Sequence, residues 1–134
     1  MRVAKKAQDL PDLSPAEWEV MKVVWDNGSM ATGEIYERVS ENRDWAYSTV
    51  KTLVRRMAEK GWLEYRPVGN SFLYRPAVSR RRALRSAVKE FSERVLDGML
   101  SPFVAYYAEE KHLSPEDIAE LEKLVKRHRK GKGD

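Results

Sequence analysis

Cysteine is absent from all 134 residues, which excludes disulfides and thiolate metal sites. Histidine is scarce. His112 and His128 lie sixteen apart on polar stretches, without the clustering of metal ligands, and read as solvated side chains. No metal and no cofactor is therefore expected. No apolar run approaches the roughly 20 residues that span a bilayer, and the N-terminus lacks an apolar signal core. The expected setting is soluble and cytoplasmic, with no membrane insertion. Cysteine nucleophiles, glycine-rich phosphate loops and histidines beside a plausible partner are all missing, which argues against an enzyme. The many carboxylates alternate with Lys and Arg, as solvated charge does.

The net charge is only +4, but it is unevenly spread. From Tyr47 to Arg75 six cations (Lys51, Arg55, Arg56, Lys60, Arg66, Arg75) stand against Glu59 and Glu64, and Arg80, Arg81, Arg82 and Arg85 follow. Asp9 to Asp44 is acidic on balance. A local basic patch on a near-neutral chain is the electrostatic footprint of a nucleic-acid binder, although a solubilising surface has the same look.

The run from Trp45 to Gly61 reads as a helix stopped by glycine, with Val50, Leu53, Val54 and Met57 on one side. Ser48, Lys51, Thr52, Arg55, Arg56 and Glu59 point broadly the other way. Cations interleaved with short hydroxyls suit base edges and phosphates. Two short aromatic runs around Val68-Gly69-Asn70 then form a predicted hairpin. In it Leu63 and Tyr65 are expected to face inward, Glu64 and Arg66 outward, and Pro67 to limit pairing near the tip. Arg66, Asn70 and Ser71 at the tip are placed to touch phosphate. A recognition-type helix followed by such a hairpin is the order of a winged helix-turn-helix domain.

Upstream, Ser14-Pro15-Ala16-Glu17 is a capping box opening a helix whose Trp18, Met21, Val24 and Trp25 face inward and which Asn27-Gly28 ends. Thr32 is the expected cap of a second helix with Ile35, Tyr36 and Val39 inside. Residues 1–12, with Arg2, Lys5 and Lys6, read as a mobile arm, 13–78 as the winged-helix domain and 79–134 as a helical region. In that region Arg80 to Leu96 carries an apolar stripe, Ser101-Pro102 opens a short helix, and Ser114-Pro115 opens the last. Three amphipathic helices in about fifty residues bury too little surface alone. Burial against a second copy is the economical solution, through Leu84, Val88, Phe91, Val95, Leu100, Phe103, Val104, Tyr107, Ile118, Leu121, Leu124 and Val125; a cap folded on the N-terminal domain is the alternative. The basic end, Lys126 to Lys132, complements a helix dipole. The expected fold is thus mainly α with a small β-hairpin wing, continued by an α-helical dimerisation region.

The run Leu13 to Met21, Trp25 ten residues before Ile35, Ser48-Thr49-Val50-Lys51-Thr52-Leu53 ending at Glu59-Lys60-Gly61, and the wing with Tyr74 resemble the penicillinase repressor family. Glu109 to Ser114 and Asp117 to Leu121 extend the resemblance, which covers about Leu13 to Val125. It implies a homodimeric winged-helix repressor that occupies a palindromic operator in double-stranded DNA. By position it carries over Thr49, Lys51, Thr52 and Arg56 as residues facing DNA; Arg55 is added from helix geometry. Two departures stand out. Antibiotic-responsive members answer a membrane-bound sensor protease by cleavage at an Asn-Phe pair, where this chain has Tyr106-Tyr107. Copper-responsive members use paired cysteines, which this chain lacks. Ala46 also replaces a frequent serine at the helix start, which would weaken that cap or move it to Asp44 or Ser48. The competing reading is a winged-helix module that binds protein, and it would carry apolar or acidic residues where Lys51, Arg55 and Arg56 stand.

Overall fold

In the computed structural model, residues 10–131 are described. Arg2, Lys5 and Lys6 of the expected arm, and Lys132 of the basic end, lie outside them. The chain forms two compact units, the first reaching Lys89 and the second beginning at Glu90.

The first unit starts with α1 (Pro15–Asn27). Its capping box forms as expected: the Glu17 amide donates to Ser14 Oγ (3.2 Å), and the Ser14 amide to Glu17 Oε1 (2.8 Å). β1 (Met30–Ala31) leads directly into α2 (Thr32–Val39), α3 spans Tyr47–Lys60, and the hairpin strands are β2 (Leu63–Val68) and β3 (Ser71–Pro76). The strands form one antiparallel sheet in the order β1-β3-β2.

Three local expectations need correction. Thr32 is the first residue of α2, not its cap; Ala31 holds the cap position, and the one side-chain bond there runs from the Ala31 amide to Glu34 Oε1 (2.9 Å). Pro67 does not limit pairing, which continues to Val68 opposite Ser71. In a two-residue hairpin the pair next to the turn exchanges the hydrogen bonds, so Pro67, one residue further back on an edge strand, has no ladder bond to lose. Third, Tyr65 is 56% exposed rather than inward. The turn itself is as expected: Gly69 has φ +62°, and Asn70 follows at negative φ.

The core of this unit joins Val20, Met21 and Val24 of α1, Ile35 and Val39 of α2, and Val50, Val54 and Met57 of α3 with Trp62, Leu63 and Tyr74 of the wing. Burying each such aliphatic side chain contributes roughly 1.5–3 kcal/mol. Trp18 and Trp25 pack at its edge, half-buried, with ring centroids 5.9 Å apart. Leu10 is buried too, and Pro11 O accepts from Trp62 Nε1 (2.8 Å), so these two residues of the segment 1–12 are docked. Beyond Val78, the first turns of α4 (Arg80–Phe91) still belong to the unit. Ala83 is in the core, and Arg80 pairs with Asp26 (2.5 Å) while lying 5.5 Å over the Trp25 ring.

The second unit comprises the end of α4, a π-helical turn (Ser92–Leu96), α5 (Leu100–Tyr106), a second π-helical turn (Tyr107–Lys111) and α6 (Pro115–Gly131). α5 opens at Leu100, with Met99 as its unbonded cap, so Ser101 is already helical rather than opening it. Ser114 does cap α6: its Oγ accepts from the Asp117 amide (3.0 Å) and its amide donates to Asp117 Oδ2 (3.2 Å). No described residue of this unit is buried.

Candidate nucleic-acid interface

The apolar stripe of α3 fixes which way its other side chains point. Val50, Val54 and Met57 are fully buried, so Ser48, Thr49, Lys51, Arg55, Arg56 and Glu59 are turned to solvent. Thr52, shorter than the charged residues around it, is half-buried. Arg66, Asn70 and Ser71 are exposed on the wing. Each of these predicted contact residues therefore lies on α3 or at the tip of the hairpin that follows it.

The start of α3 has no side-chain cap: Ala46 occupies the cap position, and the role does not pass to Asp44 or Ser48. Its place is fixed by packing instead, with Trp45 against the core and Tyr47 edge-to-face on Tyr36 (5.4 Å). The first turn contains no acidic residue to repel an anion from the positive end of the helix, although the Thr49 amide is already bonded to Ala46 O (3.0 Å). At the other end Gly61, at φ +96°, closes the helix with a left-handed cap. A side chain there would also press on Leu10, whose Cδ2 lies 3.2 Å from the Cβ position.

Not every cation of the patch is available. Lys60 Nζ is 2.8 Å from Glu17 Oε2, and Glu17 is 3% exposed. Burial pushes the Glu17 carboxyl up, but the Lys60 ammonium and the Ser14 donors outweigh it and hold the group below the usual carboxylate range. Arg75 is engaged as well, gripping Glu64 directly across the strand pair through Nε (2.9 Å) and an Nη (2.8 Å). Among the described residues Lys51, Arg55, Arg56 and Arg66 make no ion pair, and they supply the charge of the face. The Lys60 and Arg75 pairings join residues 43 and 11 apart, which periodicity along one helix does not show.

Among the described residues no group of His, Asp and Glu is placed to hold a metal ion, and no helix is long and apolar enough to cross a membrane.

The sequence profile of the penicillinase repressor family matches residues 13–127. The penicillinase repressor of Bacillus licheniformis is 32% identical over 123 residues, covering 92% of this chain and 96% of that protein. The methicillin resistance regulatory protein MecI of Mammaliicoccus sciuri is 29% identical over 114 residues, covering 85% and 93%. Among solved structures, the DNA binding domain of the repressor BlaI is similar at 35% identity and a TM-score of 0.50, covering 54% of this chain and 88% of that one. The fold is thus a winged helix followed by helices, and the chain belongs to the penicillinase repressor family.

Proposed function

We propose that this chain is a DNA-binding transcriptional repressor acting in the cytoplasm as a homodimer on a palindromic operator. The observation that carries the reading is the outward face of α3, where Lys51, Arg55 and Arg56 make no ion pair among the described residues and alternate with Ser48, Thr49 and Thr52. In this reading α3 enters the major groove, and Arg66, Asn70 and Ser71 of the wing touch the backbone. Residues 13–78 form the DNA-binding domain, and 79–134 the dimerisation region.

The dimer is supported by the second unit. Phe91, Val95, Leu100, Phe103, Val104, Tyr107, Ile118, Leu121, Leu124 and Val125 are all exposed, as are Leu84 and Val88 of α4. Phe103, Val104, Tyr107 and Leu121 line a groove of about 330 Å³. Single chains seldom leave so many large apolar side chains exposed along successive helices, and a second copy would cover them. Tyr106 and Tyr107 stand exposed where regulated cleavage would separate α6 from α4, and a membrane sensor protease system is the partner proposed for that step.

The test is binding of the full chain to duplexes covering its own gene's promoter, against random-sequence competitor at two salt concentrations. Retention of one fragment with a two-fold symmetric footprint, weakening steeply with salt, is expected. Failure to bind any duplex at low salt would sink the reading.

A further inference from the structure

The first unit carries a row of cations that its own fold does not use. Ser79 Oγ accepts from the Arg82 amide (3.2 Å) at the start of α4, and Arg80 is held by Asp26 and the Trp25 ring. That end of α4 is thus anchored on α1. Arg82, Arg85 and Lys89 follow at spacings of three and four residues, all exposed. At about 100° per residue their row lies roughly 130° around the helix from Leu84, Val88 and Phe91, which belong to the proposed dimer face. Arg81 flanks the row one turn before Arg85 and is exposed as well. None of these four cations makes an ion pair among the described residues. Like charges four residues apart, and cations in a first turn that has no carboxylate, both oppose helix formation. The row therefore costs α4 some stability unless something anionic covers it.

A row of opposite charge and the same spacing stands on another element of the same unit. Glu34 and Glu37 lie on α2, and Glu41 follows in the turn that prolongs it. There the Ser40 amide bonds to Tyr36 O and the Arg43 amide to Val39 O, both at 2.9 Å. Ile35 and Val39 bury the inner side of α2, which leaves the three carboxylates exposed. They make no ion pair among the described residues, and Glu34 accepts only from the Ala31 amide. Arg38, exposed beside Glu34, tempers the row, and Asp44 extends it beyond Glu41. Each row spans about 10 Å at the rise of a helix. Equal length, equal spacing and opposite sign make the two rows complementary, yet within one chain they do not meet.

We infer that the Arg82, Arg85 and Lys89 row of α4 docks on the Glu34, Glu37 and Glu41 row of a second copy of this chain. The surface is separate from the apolar face of the second unit and from α3 and the wing, so the contact needs neither the proposed dimer nor DNA. Together with a dimer of the second unit it carries assembly past two chains.

The full chain, free of DNA, should be followed by sedimentation velocity over a range of concentrations at about 0.01 M and about 1 M salt. Between these the Debye length falls from about 30 Å to about 3 Å. At high salt the apolar dimer should remain alone, and at low salt larger species should grow with concentration. Arg85 and Glu37 are the middle members of their rows and oppose each other whichever way the helices run. Arg85→Glu or Glu37→Lys should therefore each weaken the low-salt growth at least about ten-fold, because like charges then face each other. The double variant should recover most of it, which also shows that neither change harms the fold. Wild type that does not grow at low salt would overturn the contact, and so would single variants that grow like wild type. A double variant no better than the single ones would mean that the two rows do not face each other. Arg85→Glu that weakens duplex binding while its sedimentation matches wild type would assign the row to nucleic acid and overturn the contact too. Monomer rather than dimer at high salt would overturn the second-unit dimer, whichever way the low-salt measurement falls.

Discussion

In the first unit, hydrophobic residues of α1, α2, α3 and the wing meet one another, and with Leu10, Met30, Val78 and Ala83 they make fifteen buried hydrophobic residues among those described. In the second unit helical spacing leaves Phe91, Phe103, Leu121 and their neighbours facing outward. A periodic apolar stripe thus reports that a face will be covered, but not whether the cover comes from the same chain. The first unit answers this with short elements that fold back on each other. The second has too few layers to do so, and its aromatic row, Phe91 to Phe103 (5.7 Å) to Tyr107 (5.3 Å), forms an open surface rather than a core.

The strongest way to break the comparison is to strike each unit where it is apolar. Leu121→Asp would place a carboxylate in the proposed interface, weakening dimerisation at least about 100-fold while leaving the melting of the first unit in place. Sedimentation should find monomer for the variant and the proposed dimer for the wild type, and a variant dimer that survived would mean the α6 face is not covered by a second copy. Ile35→Ala should do the reverse, costing about 2–5 kcal/mol in the first unit, read from its denaturant midpoint, with association retained.

A sharper distinction lies within the first unit. Lys51→Ala or Thr52→Ala should shift sequence preference by about 1–3 kcal/mol if either residue reads a base. Arg66→Ala should weaken binding to all sequences alike and lower the salt slope by roughly 0.9. Association should not respond to any of them. Identical ratios of operator to random binding for the Lys51 and Arg66 variants would contradict this division of roles.

The smallest expected effect concerns the one charged seam in the first core. Lys60→Met leaves the buried Glu17 carboxylate with only its Ser14 partners, costing about 1–2 kcal/mol at neutral pH. Because the folded pKa of Glu17 lies below its unfolded value, the group adds stability that is complete above the unfolded value and lost as pH falls through the folded one. Without Lys60 the effect of burial is less opposed, so the acid loss should begin at a higher pH. Denaturant midpoints followed from neutral pH through the carboxylate range should separate the two proteins, and superimposable profiles would mean that Lys60 contributes little to holding Glu17 ionised.

Legibility followed how local each cause is. The Ser14–Glu17 box, the Gly61 stop and the Gly69-Asn70 turn are set by neighbours within four residues, and all three are readable from the chain. β1 is not readable, because two residues show no alternation and Met30–Ala31 is a strand only through pairing with Leu73 and Tyr74. Tyr65 shows a subtler limit. Alternation correctly assigns it to the face shared with Leu63, but only the assembled unit shows that the core ends before reaching it. The outward face of α3 was readable residue by residue, whereas the withdrawal of Lys60 and Arg75 from it depends on partners elsewhere in the fold.

The contact between Glu17 and Lys60 also governs aim. α3 has 14 residues and is therefore about 21 Å long. Its last turn is pinned by that ion pair and by Leu10 against Gly61. Packing of Trp45 and Tyr47 fixes the other end, and both anchors matter: a tilt of about 5° about the last turn would swing the Ser48 end by about 2 Å. That is several times the roughly 0.5 Å window within which a hydrogen bond keeps its strength. A carboxylate at the start of α1 thus shares, with the Tyr36–Tyr47 contact at the other end, in holding the angle at which α3 meets its target.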